Sequence, residues 1–315
     1  MAKIALGTWA WGSGKNGGDT MFGVNTNAET LRPVFDAAMD AGLNVWDTAA
    51  VYGMGESEKI LGSFIKDWKR EDVVISTKFT PEMMVSFGNS IESMLESSLQ
   101  RLGTDYIDIY WIHNDDDVEK WTPMLIPLLK SGKILRVGVC NHTLDEVKRV
   151  NEILTEGGYK LSAVQVHTSL LYRENIKNGM LDYCKKNGIE FWAFMVLEQG
   201  ALSGKYNVDN PLPADSFRGK RLNSVLDKLS SLTDGMKEIG EKHGISTAQV
   251  ATTWASTIGA VPLIGATKAR HAIEAGNAAK VRLTDVEVEQ LEHLADATGV
   301  DTCGGYDNPP DKGKN

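Results

Sequence analysis

Three polar residues stand at the ends of short apolar segments, where ionisable side chains are costly to bury. Asp47 closes the segment VWD, Lys78 the segment VVISTK and His113 the segment IYWIH. Because a buried lysine or aspartate is expensive unless it is paired, we expect Lys78 and Asp47 to form an ion pair. Such a pair and such a histidine can be structural as well as catalytic, and both interpretations stay open at this point.

Tyr52 lies five residues beyond Asp47, on the loop that leaves the same segment, close enough to turn back over it. A free tyrosine has a pKa of about 10, which is too high for easy proton exchange near neutral pH. A neighbouring ammonium favours the phenolate, so we expect Lys78 to lower the pKa of Tyr52 while Asp47 holds Lys78. His113 could hydrogen-bond either to the phenol or to an incoming carbonyl oxygen.

Short apolar segments alternate with longer amphipathic ones along the chain, which is typical of repeated βα units around a parallel sheet. The predicted strands are 4–8, 44–48, 73–78, 107–113, 135–140, 163–167, 190–195 and 261–265. The predicted helices are about 28–41, 56–68, 89–102, 118–131, 144–156, 174–187, 247–257 and 269–279.

This rhythm favours a closed (β/α)8 TIM barrel, an α/β fold, as a single domain over residues 1–315. A doubly wound dinucleotide-binding sheet would carry G-x-G-x-x-G after its first strand, and that motif is absent. The glycines that do follow the first strand, Gly12, Gly14, Gly17 and Gly18, are interpreted as a loop. In such a barrel the active site lies at the carboxyl ends of the strands, where the polar residues above stand.

The longest interruption runs from Gln199 to about Leu229 and includes the basic sequence RGKR at 218–221. A long loop at this face of a barrel often serves a ligand, with a plain surface excursion as the alternative. Residues 302–315 are predicted to form a flexible tail.

The composition excludes several classes of protein. A formal net charge of -9 leaves no basic excess for nucleic acid or an anionic membrane. No apolar run approaches a membrane span, and glycine interrupts the first residues too soon for a signal sequence, so we expect a cytoplasmic protein. The 3 cysteines form no C-x-x-C pair, which predicts reduced thiols and no thiolate metal site.

Several segments, in the same order along the chain, match one enzyme family. They are DTAAVYG at 47–53 with Glu56 and Ser57, TK at 77–78, DYID at 105–108 leading to WIH at 111–113, VGVCN at 137–141, and GATK at 265–268 with Glu274. On these segments the chain resembles the aldo-keto reductases over nearly its whole length. The resemblance implies NADPH-dependent reduction of an aldehyde or ketone, sugar-like or aromatic, with Tyr52 as the proton donor supported by Lys78, Asp47 and His113.

By the same resemblance, one set of residues binds the cofactor: Gly7, Thr8, Trp9, Asp47, Cys140, Asn141, Gln165, Phe194, Leu197, Gly200, Leu202, Lys205, Arg218, Gly265, Thr267, Lys268, His271 and Glu274. Asn141 and Gln165 would grip the nicotinamide carboxamide, and Lys205 and Arg218 the pyrophosphate. Lys268 would meet the 2′-phosphate, so NADPH/NADP+ is expected over NADH, with dual use open.

The chain departs from the family pattern in several places. Cys140 replaces the usual serine, and Phe194 replaces the usual tyrosine, followed by Met195 and Val196 in place of serine and proline. His271 stands where arginine or glutamine is usual. The family's plug for the barrel bottom is a hairpin before the first strand, and too few residues precede that strand here. We expect the C-terminal segment to serve instead.

The substrate is less determined. Trp9, Trp11, Tyr52 and His113 are the expected substrate contacts, with Trp46 a weaker candidate, although aromatic residues are also ordinary core. One alternative is a cofactor-sensing subunit resembling those of potassium channels. Another is a lyase that uses Lys78 as a Schiff base. The partner is expected to be a small carbonyl compound, and the chain a monomer or small homo-oligomer.

Overall fold

The computed structural model describes residues 3–114 and 117–302, and its centre is a closed barrel of parallel strands. The strands follow one another in chain order, and the last pairs with the first. They are β1 Ala5–Gly7, β2 Val45–Asp47, β3 Val74–Phe79, β4 Ile107–Ile112, β5 Ile134–Cys140, β6 Leu161–His167, β7 Glu190–Phe194 and β8 Val261–Gly265. Each predicted strand overlaps an observed one, so the predicted (β/α)8 barrel is confirmed.

Helices surround the barrel, between successive strands and after the last one. They are α1 Gly18–Phe22, α2 Ala28–Asp40, α3 Glu56–Ile65, α4 Ile91–Leu102, α5 Val118–Lys130, α6 Leu144–Glu156, α7 Glu174–Lys177, α8 Met180–Asn187, α9 Phe217–Leu222, α10 Ser230–His243, α11 Thr247–Thr257, α12 Ala269–Ala278 and α13 Asp285–Ala297. Within the described ranges, no helix is both long and apolar enough to cross a membrane.

Two long helices, α10 and α13, were not among the predicted ones. α10 buries Leu232, Met236 and Ile239 at helical spacing, but its internal glycines weaken the sequence signal. α13 carries a signal that was missed, because Thr284 and Glu287 form a capping box at its start. Both helices pack against each other, outside the eight-fold repeat.

Two local predictions were wrong in detail. The glycine-rich segment after β1 is not all loop, because α1 begins at Gly18. A Cβ on Gly18 would lie 2.3 Å from the carbonyl oxygen of Ala10, so the chain folds back too closely there for a side chain. The single helix predicted over 174–187 is instead α7 and α8, separated at Gly179, whose φ of 88° lies in the left-handed region.

The barrel interior is filled by side chains rather than open. Trp111 of β4 and Trp192 of β7 meet edge to face there, with ring centroids 5.2 Å apart. Gly138 of β5 makes room for them, since a Cβ at that position would lie 2.2 Å from the Trp111 ring. The polar residues at the carboxyl ends of the strands therefore stand on a packed floor.

At the opposite end of the barrel, charged side chains from β5, β7 and the residues just before β1 close the bottom. Lys3 lies 2.7 Å and Arg136 3.2 Å from the Glu190 carboxylate, to which the Trp192 indole also donates at 2.7 Å. The prediction that the C-terminal segment caps the bottom was wrong for the part described. Thr302 lies at the other end, near the loop after β7, and residues 303–315 lie outside the described residues.

Candidate active site

A buried ion pair lies at the carboxyl ends of two neighbouring strands, β2 and β3. Lys78 Nζ is 2.5 Å from Asp47 Oδ2, and the two side chains are 0% and 1% exposed. The ammonium also donates to the carbonyl oxygen of Thr48 at 2.8 Å. The ion pair predicted from the sequence is therefore confirmed.

The pair fixes the charge of the lysine. Burial on its own lowers the pKa of Lys78, but the adjacent Asp47 carboxylate outweighs it and the pKa stands above its usual value. The side chain therefore remains an ammonium at neutral pH. A Schiff base requires the free amine, so this geometry gives the lyase alternative no support.

The Asp47 carboxylate is held from several sides. Ser76 Oγ donates to its Oδ1 at 2.6 Å, and Gln165 Nε2 from β6 approaches the same oxygen at 3.2 Å. The Trp111 indole donates to Ser76 Oγ at 2.5 Å. The sequence reasoning missed Ser76, although its place two residues before Lys78 puts it on the same face of β3.

Tyr52 turns back over this pair as expected. Three consecutive residues with positive φ, Gly53 at 56°, Met54 at 52° and Gly55 at 93°, reverse the chain directly after it. The Tyr52 hydroxyl lies 3.4 Å from Lys78 Nζ, and the side chain is largely buried. Because two of these three residues are glycines, the backbone adopts this tight reversal with little steric strain.

Lys78 lowers the pKa of Tyr52 as expected, but the net shift is upward. Burial raises the pKa most, Asp47 raises it again, and the pKa of Tyr52 reaches about 12. The phenol is therefore fully protonated at neutral pH. This arrangement supplies a proton donor beside a fixed positive charge, rather than a ready phenolate.

His113 directly follows β4 and faces the ring of Tyr52 edge-on, with centroids 5.9 Å apart. Its Nδ1 is 2.9 Å from Thr80 Oγ1. Burial, and then the charge of Lys78, hold the pKa of His113 well below its usual value, so the ring is neutral. When the Thr80 hydroxyl donates to Nδ1, the proton resides on Nε2, which becomes a hydrogen-bond donor.

Hydroxyl groups behind the pair tie β1, β2 and α3 together. Thr8 Oγ1 donates to the carbonyl oxygen of Asp47 at 3.1 Å, and Ser57 Oγ lies 2.7 Å from Thr8 Oγ1 and 3.0 Å from Thr48 Oγ1. Thr8, predicted to contact the cofactor, is fully buried and uses its hydroxyl within the protein. Its side chain therefore supports Asp47, and neighbouring Gly7 is partly exposed.

Of the tryptophans expected at the mouth, only Trp9 is there. Its ring stacks on Tyr52 at 5.7 Å and meets Phe22 of α1 edge-on at 5.1 Å. Trp11 is 0% exposed, its indole donating to the carbonyl oxygen of Ala266 at 2.7 Å, so its predicted substrate contact was wrong. Trp46 is likewise buried and stacks on a core phenylalanine.

The end of β5 places Asn141 at the mouth, exposed and with a φ of 62°. Its side-chain amide donates to the carbonyl oxygen of His113 at 3.0 Å, which links this strand end to the loop after β4. Cys140 beneath it is buried, and burial raises the pKa of its thiol. The thiol therefore stays protonated.

The segment after β7 has an unusual backbone. Met195, Glu198 and Gln199 have φ of 60°, 43° and 53°, and Gly200 has 104°. Such conformations are costly for side-chain-bearing residues and persist only where surrounding contacts hold them. Phe194 and Leu197 beside this segment are partly exposed, whereas Leu202 is fully buried, so any cofactor contact of Leu202 would come from its backbone.

Basic side chains converge beyond this segment. Burial lowers the pKa of His271, and the nearby charges of Arg270, Lys268 and Lys205 lower it further. α12 starts immediately after Lys268, with no side chain capping its N-terminus. Such a helix start favours an anion.

The remaining predicted residues border this patch. Thr267 donates its amide to His271 Nδ1 at 3.3 Å, and the partly buried Glu274 follows one turn into α12. Gly265 is exposed, and a Cβ there would meet no atom within 4 Å. Arg218 Nη1 donates to the carbonyl oxygen of Gln199 at 3.3 Å.

The part of the barrel mouth formed by the ends of β5 to β8 has groups that suit a dinucleotide. Among the described residues, Arg218 Nε and Gln199 Oε1 are buried without a hydrogen-bond partner. A phosphate would satisfy the arginine nitrogen, the cations and the free helix start, while Phe194 offers a flat face for a ring. Of the predicted cofactor residues, Thr8, Asp47, Cys140, Gln165 and Leu202 are buried, whereas the others are at least partly exposed.

Comparison with known proteins identifies one enzyme family. The family model described as "Aldo/keto reductase family" matches residues 3–296. The chain is 29% identical to the chloroplastic pyridoxal reductase of Arabidopsis thaliana, over 94% of this chain and 83% of that protein. It is 28% identical to the aldo-keto reductase yakc of Schizosaccharomyces pombe, named with NADP(+), over 91% of this chain and 88% of that one. The glycerol dehydrogenase of Gluconobacter oxydans superposes with a TM-score of 0.77 at 26% identity, covering 99% of this chain and 94% of that one.

Proposed function

Because the chain belongs to the aldo/keto reductase family, we propose that it reduces an aldehyde or ketone to the alcohol with NADPH and that Tyr52 donates the proton. Membership makes the chain an oxidoreductase. The observation that carries the finer proposal is the Tyr52 hydroxyl, protonated and 3.4 Å from a permanently charged Lys78.

In this proposal the four polar residues have separate tasks. Tyr52 and neutral His113 point hydrogen-bond donors at the carbonyl oxygen, where negative charge develops as the carbonyl is reduced. Tyr52 then releases its proton to that oxygen, and Lys78 stabilises the phenolate left behind. Asp47 keeps Lys78 in place through the 2.5 Å ion pair. When bound, NADPH supplies the hydride to the carbonyl carbon.

The residues that would hold the cofactor come from the ends of β5 to β8. Asn141 and Gln165 offer amides for the carboxamide, Phe194 a face for the ring, and Arg218 and Lys205 charges for the pyrophosphate. Lys268 with Arg270 favours the extra phosphate of NADPH, which is in keeping with the NADP(+) in the name of the yeast relative. NADH would bind more weakly, because it lacks the group these cations attract.

For the substrate we propose an aldehyde or ketone attached to a ring. Trp9, Phe22 and Tyr52 form a continuous aromatic wall on one side of the proton donor. Aromatic walls suit flat or ring-shaped ligands. Pyridoxal, the substrate in the name of the plant relative, is an aromatic aldehyde. A cytoplasmic location is also proposed, in keeping with free thiols at the buried Cys140 and Cys184.

The test is single-turnover oxidation of NADPH against a panel of aromatic, sugar-like and aliphatic carbonyls, with Tyr52→Phe beside the wild type. We expect turnover of aromatic aldehydes and a fall in rate of about 10²- to 10⁴-fold in Tyr52→Phe, with the affinity for NADP+ unchanged. A variant rate close to wild type would remove Tyr52 from this role. Tight NADPH binding without turnover of any carbonyl would instead favour the cofactor-sensing alternative.

A further inference from the structure

A second buried ionisable pair lies at the mouth, among residues to which the proposed reaction assigns no task. His167 ends β6 and Glu198 follows β7, and both side chains are 3% exposed. His167 Nε2 lies 2.7 Å from Glu198 Oε1. Because burying two ionisable groups this deeply costs desolvation free energy, we expect the pair to have a role in the protein.

Through its Oε1 atom, Glu198 links the segment after β7 to the end of β6 and to the last described residue. Besides His167, Ser169 Oγ donates to Oε1 at 2.5 Å and Thr302 Oγ1 at 2.9 Å. Burial raises the pKa of Glu198, but His167 and the two hydroxyl donors reverse this and hold the pKa below its usual value. The group is therefore a carboxylate at neutral pH and a strong acceptor for all three donors.

The imidazole that Glu198 holds is the middle ring of a stack. His167 lies over Tyr172 at 4.6 Å with 24° between planes, and against Phe194 at 5.7 Å with 21°. In the described part of the chain, His167 Nδ1 has no hydrogen-bond partner, so the ring is oriented by Nε2 and by the stack. The plane of His167 thus backs the plane of Phe194.

The backbone that carries Glu198 is the strained segment after β7. Glu198 itself has a φ of 43°, in line with the positive φ of Met195 and Gln199 on either side. Such backbone conformations are strained, so the segment needs contacts that hold it. The carboxylate provides them, and through Thr302 it reaches the long loop, where Arg221 donates to the Thr302 carbonyl oxygen.

We propose that Glu198 is a positioning residue for the cofactor surface: through His167 it sets the face of Phe194, and through its own backbone it holds the segment in which the Gln199 carbonyl oxygen accepts a hydrogen bond from Arg218. This rests on the proposed function, in which Phe194 contacts the nicotinamide and Arg218 the pyrophosphate. Within the described residues, the Glu198 carboxylate accepts hydrogen bonds from His167, Ser169 and Thr302 and from none of the proton-transfer residues, so we expect it to act on binding and not on chemistry.

The test measures NADP+ affinity by titration calorimetry and, separately, the Michaelis constant for NADPH and kcat. Glu198→Leu removes the acceptor, and we expect the dissociation constant and the Michaelis constant to rise about tenfold or more, as loss of a charged hydrogen bond does, while kcat stays within about twofold. Glu198→Gln keeps the acceptor oxygen and should restore most of the affinity. Glu190→Gln alters a partly buried carboxylate at the barrel bottom, is the matched control and should leave NADP+ affinity unchanged.

If Glu198→Leu fails to fold, His167→Phe is the second variant to measure, because it keeps the aromatic stack and removes the hydrogen bond to Glu198. We expect it to raise the dissociation constant of NADP+ several-fold. Wild-type affinity for NADP+ in Glu198→Leu or His167→Phe would overturn the inference. A fall in kcat with unchanged affinity would overturn it as well. Failure of the wild type to bind NADP+ at all would instead reject the proposed function.

Discussion

In the half of the barrel mouth formed by β1 to β4, the polar groups bind one another, whereas in the half formed by β5 to β8 several cations face solvent. Asp47, Lys78 and Tyr52 are buried and mutually connected, and Asp47 has further donors in Ser76 and Gln165. Donors fixed in this way need no reorganisation when charge develops on a substrate.

The other half is organised around groups that the protein leaves available. Lys205 and Lys268 are exposed, and Arg218 Nε is buried without a partner among the described residues. Repulsion among clustered cations is relieved when an anion binds. The difference indicates that the polar groups around Asp47 are satisfied within the protein, whereas several groups of the other half remain available for a ligand. Each prediction below perturbs one of the two halves.

The largest effect is expected from breaking the ion pair. Asp47→Asn leaves the Lys78 ammonium buried without a carboxylate, which should lower the free energy of unfolding by about 3–5 kcal/mol. Lys78→Met should cost less, because Ser76 and Gln165 still donate to Asp47. Both variants should reduce the single-turnover rate by about 10²- to 10⁴-fold. Urea unfolding and stopped-flow measurements check the two expectations.

The pH dependence of that stability loss has a definite sign. The folded pKa of Lys78 is raised, so its contribution is fully present below its unfolded pKa of about 10.4 and lost only as pH rises through the folded value. The contribution of the intact pair should therefore be constant between about pH 6 and 9, whereas in Asp47→Asn burial lowers the pKa of Lys78, so the stability penalty of the variant should shrink as pH rises. Glu96→Gln, which breaks an exposed pair with Lys133, is the control and should cost little. Equal stability of Asp47→Asn and wild type would contradict the comparison.

The sequence predicted the first half of the mouth better than the second. Asp47, Lys78 and His113 could be found because charged residues at the ends of apolar strands are conspicuous, and β2, β3 and β4 are neighbours in any such barrel. Glu198 gives a similar signal just beyond β7, but its role depends on Thr302, more than 100 residues away in the chain. No local pattern reveals such a contact.

Burial was the other quantity that the sequence could not supply. Trp9 and Trp11 stand two residues apart with the same side chain, yet one is at the mouth and the other in the core. The sign of the Tyr52 pKa shift was missed for the same reason, because desolvation by surrounding side chains outweighs the nearby ammonium. Both depend on tertiary packing, whereas strand positions depend on local periodicity.

The raised Tyr52 pKa predicts different pH profiles for the two directions of the reaction. Reduction uses the protonated phenol, which is fully populated below the pKa of about 12, so its rate should be flat from pH 6 to 9. Alcohol oxidation needs the phenolate, whose population rises about tenfold per pH unit below the pKa, or about 100-fold from pH 7 to 9. Tyr52→Phe should abolish the slope. A flat oxidation profile in the wild type would contradict the assignment.

A perturbation of the second half should act on cofactor choice and leave the chemistry alone. Lys268→Ala combined with Arg270→Ala removes two of the cations around His271, and should weaken NADPH relative to NADH by about tenfold or more. The ratio of the two dissociation constants is the measurement. Lys220→Ala, an exposed cation on α9, is the matched control. An unchanged ratio would show that the 2′-phosphate is not held at the start of α12.

The smallest effect is expected at the aromatic wall. Trp9→Leu removes the ring stacked at 5.7 Å on Tyr52, and should reduce kcat/KM for an aromatic aldehyde by about 2- to 10-fold relative to an aliphatic one, the usual strength of an aromatic pair. Trp11→Phe is the control, because it removes the indole that binds Ala266 in the core and should lower the melting temperature without altering this preference. If Trp9→Leu left the preference unchanged, the substrate would lie on another side of Tyr52, and the exposed Asn141 beside His113 would be the next position to vary.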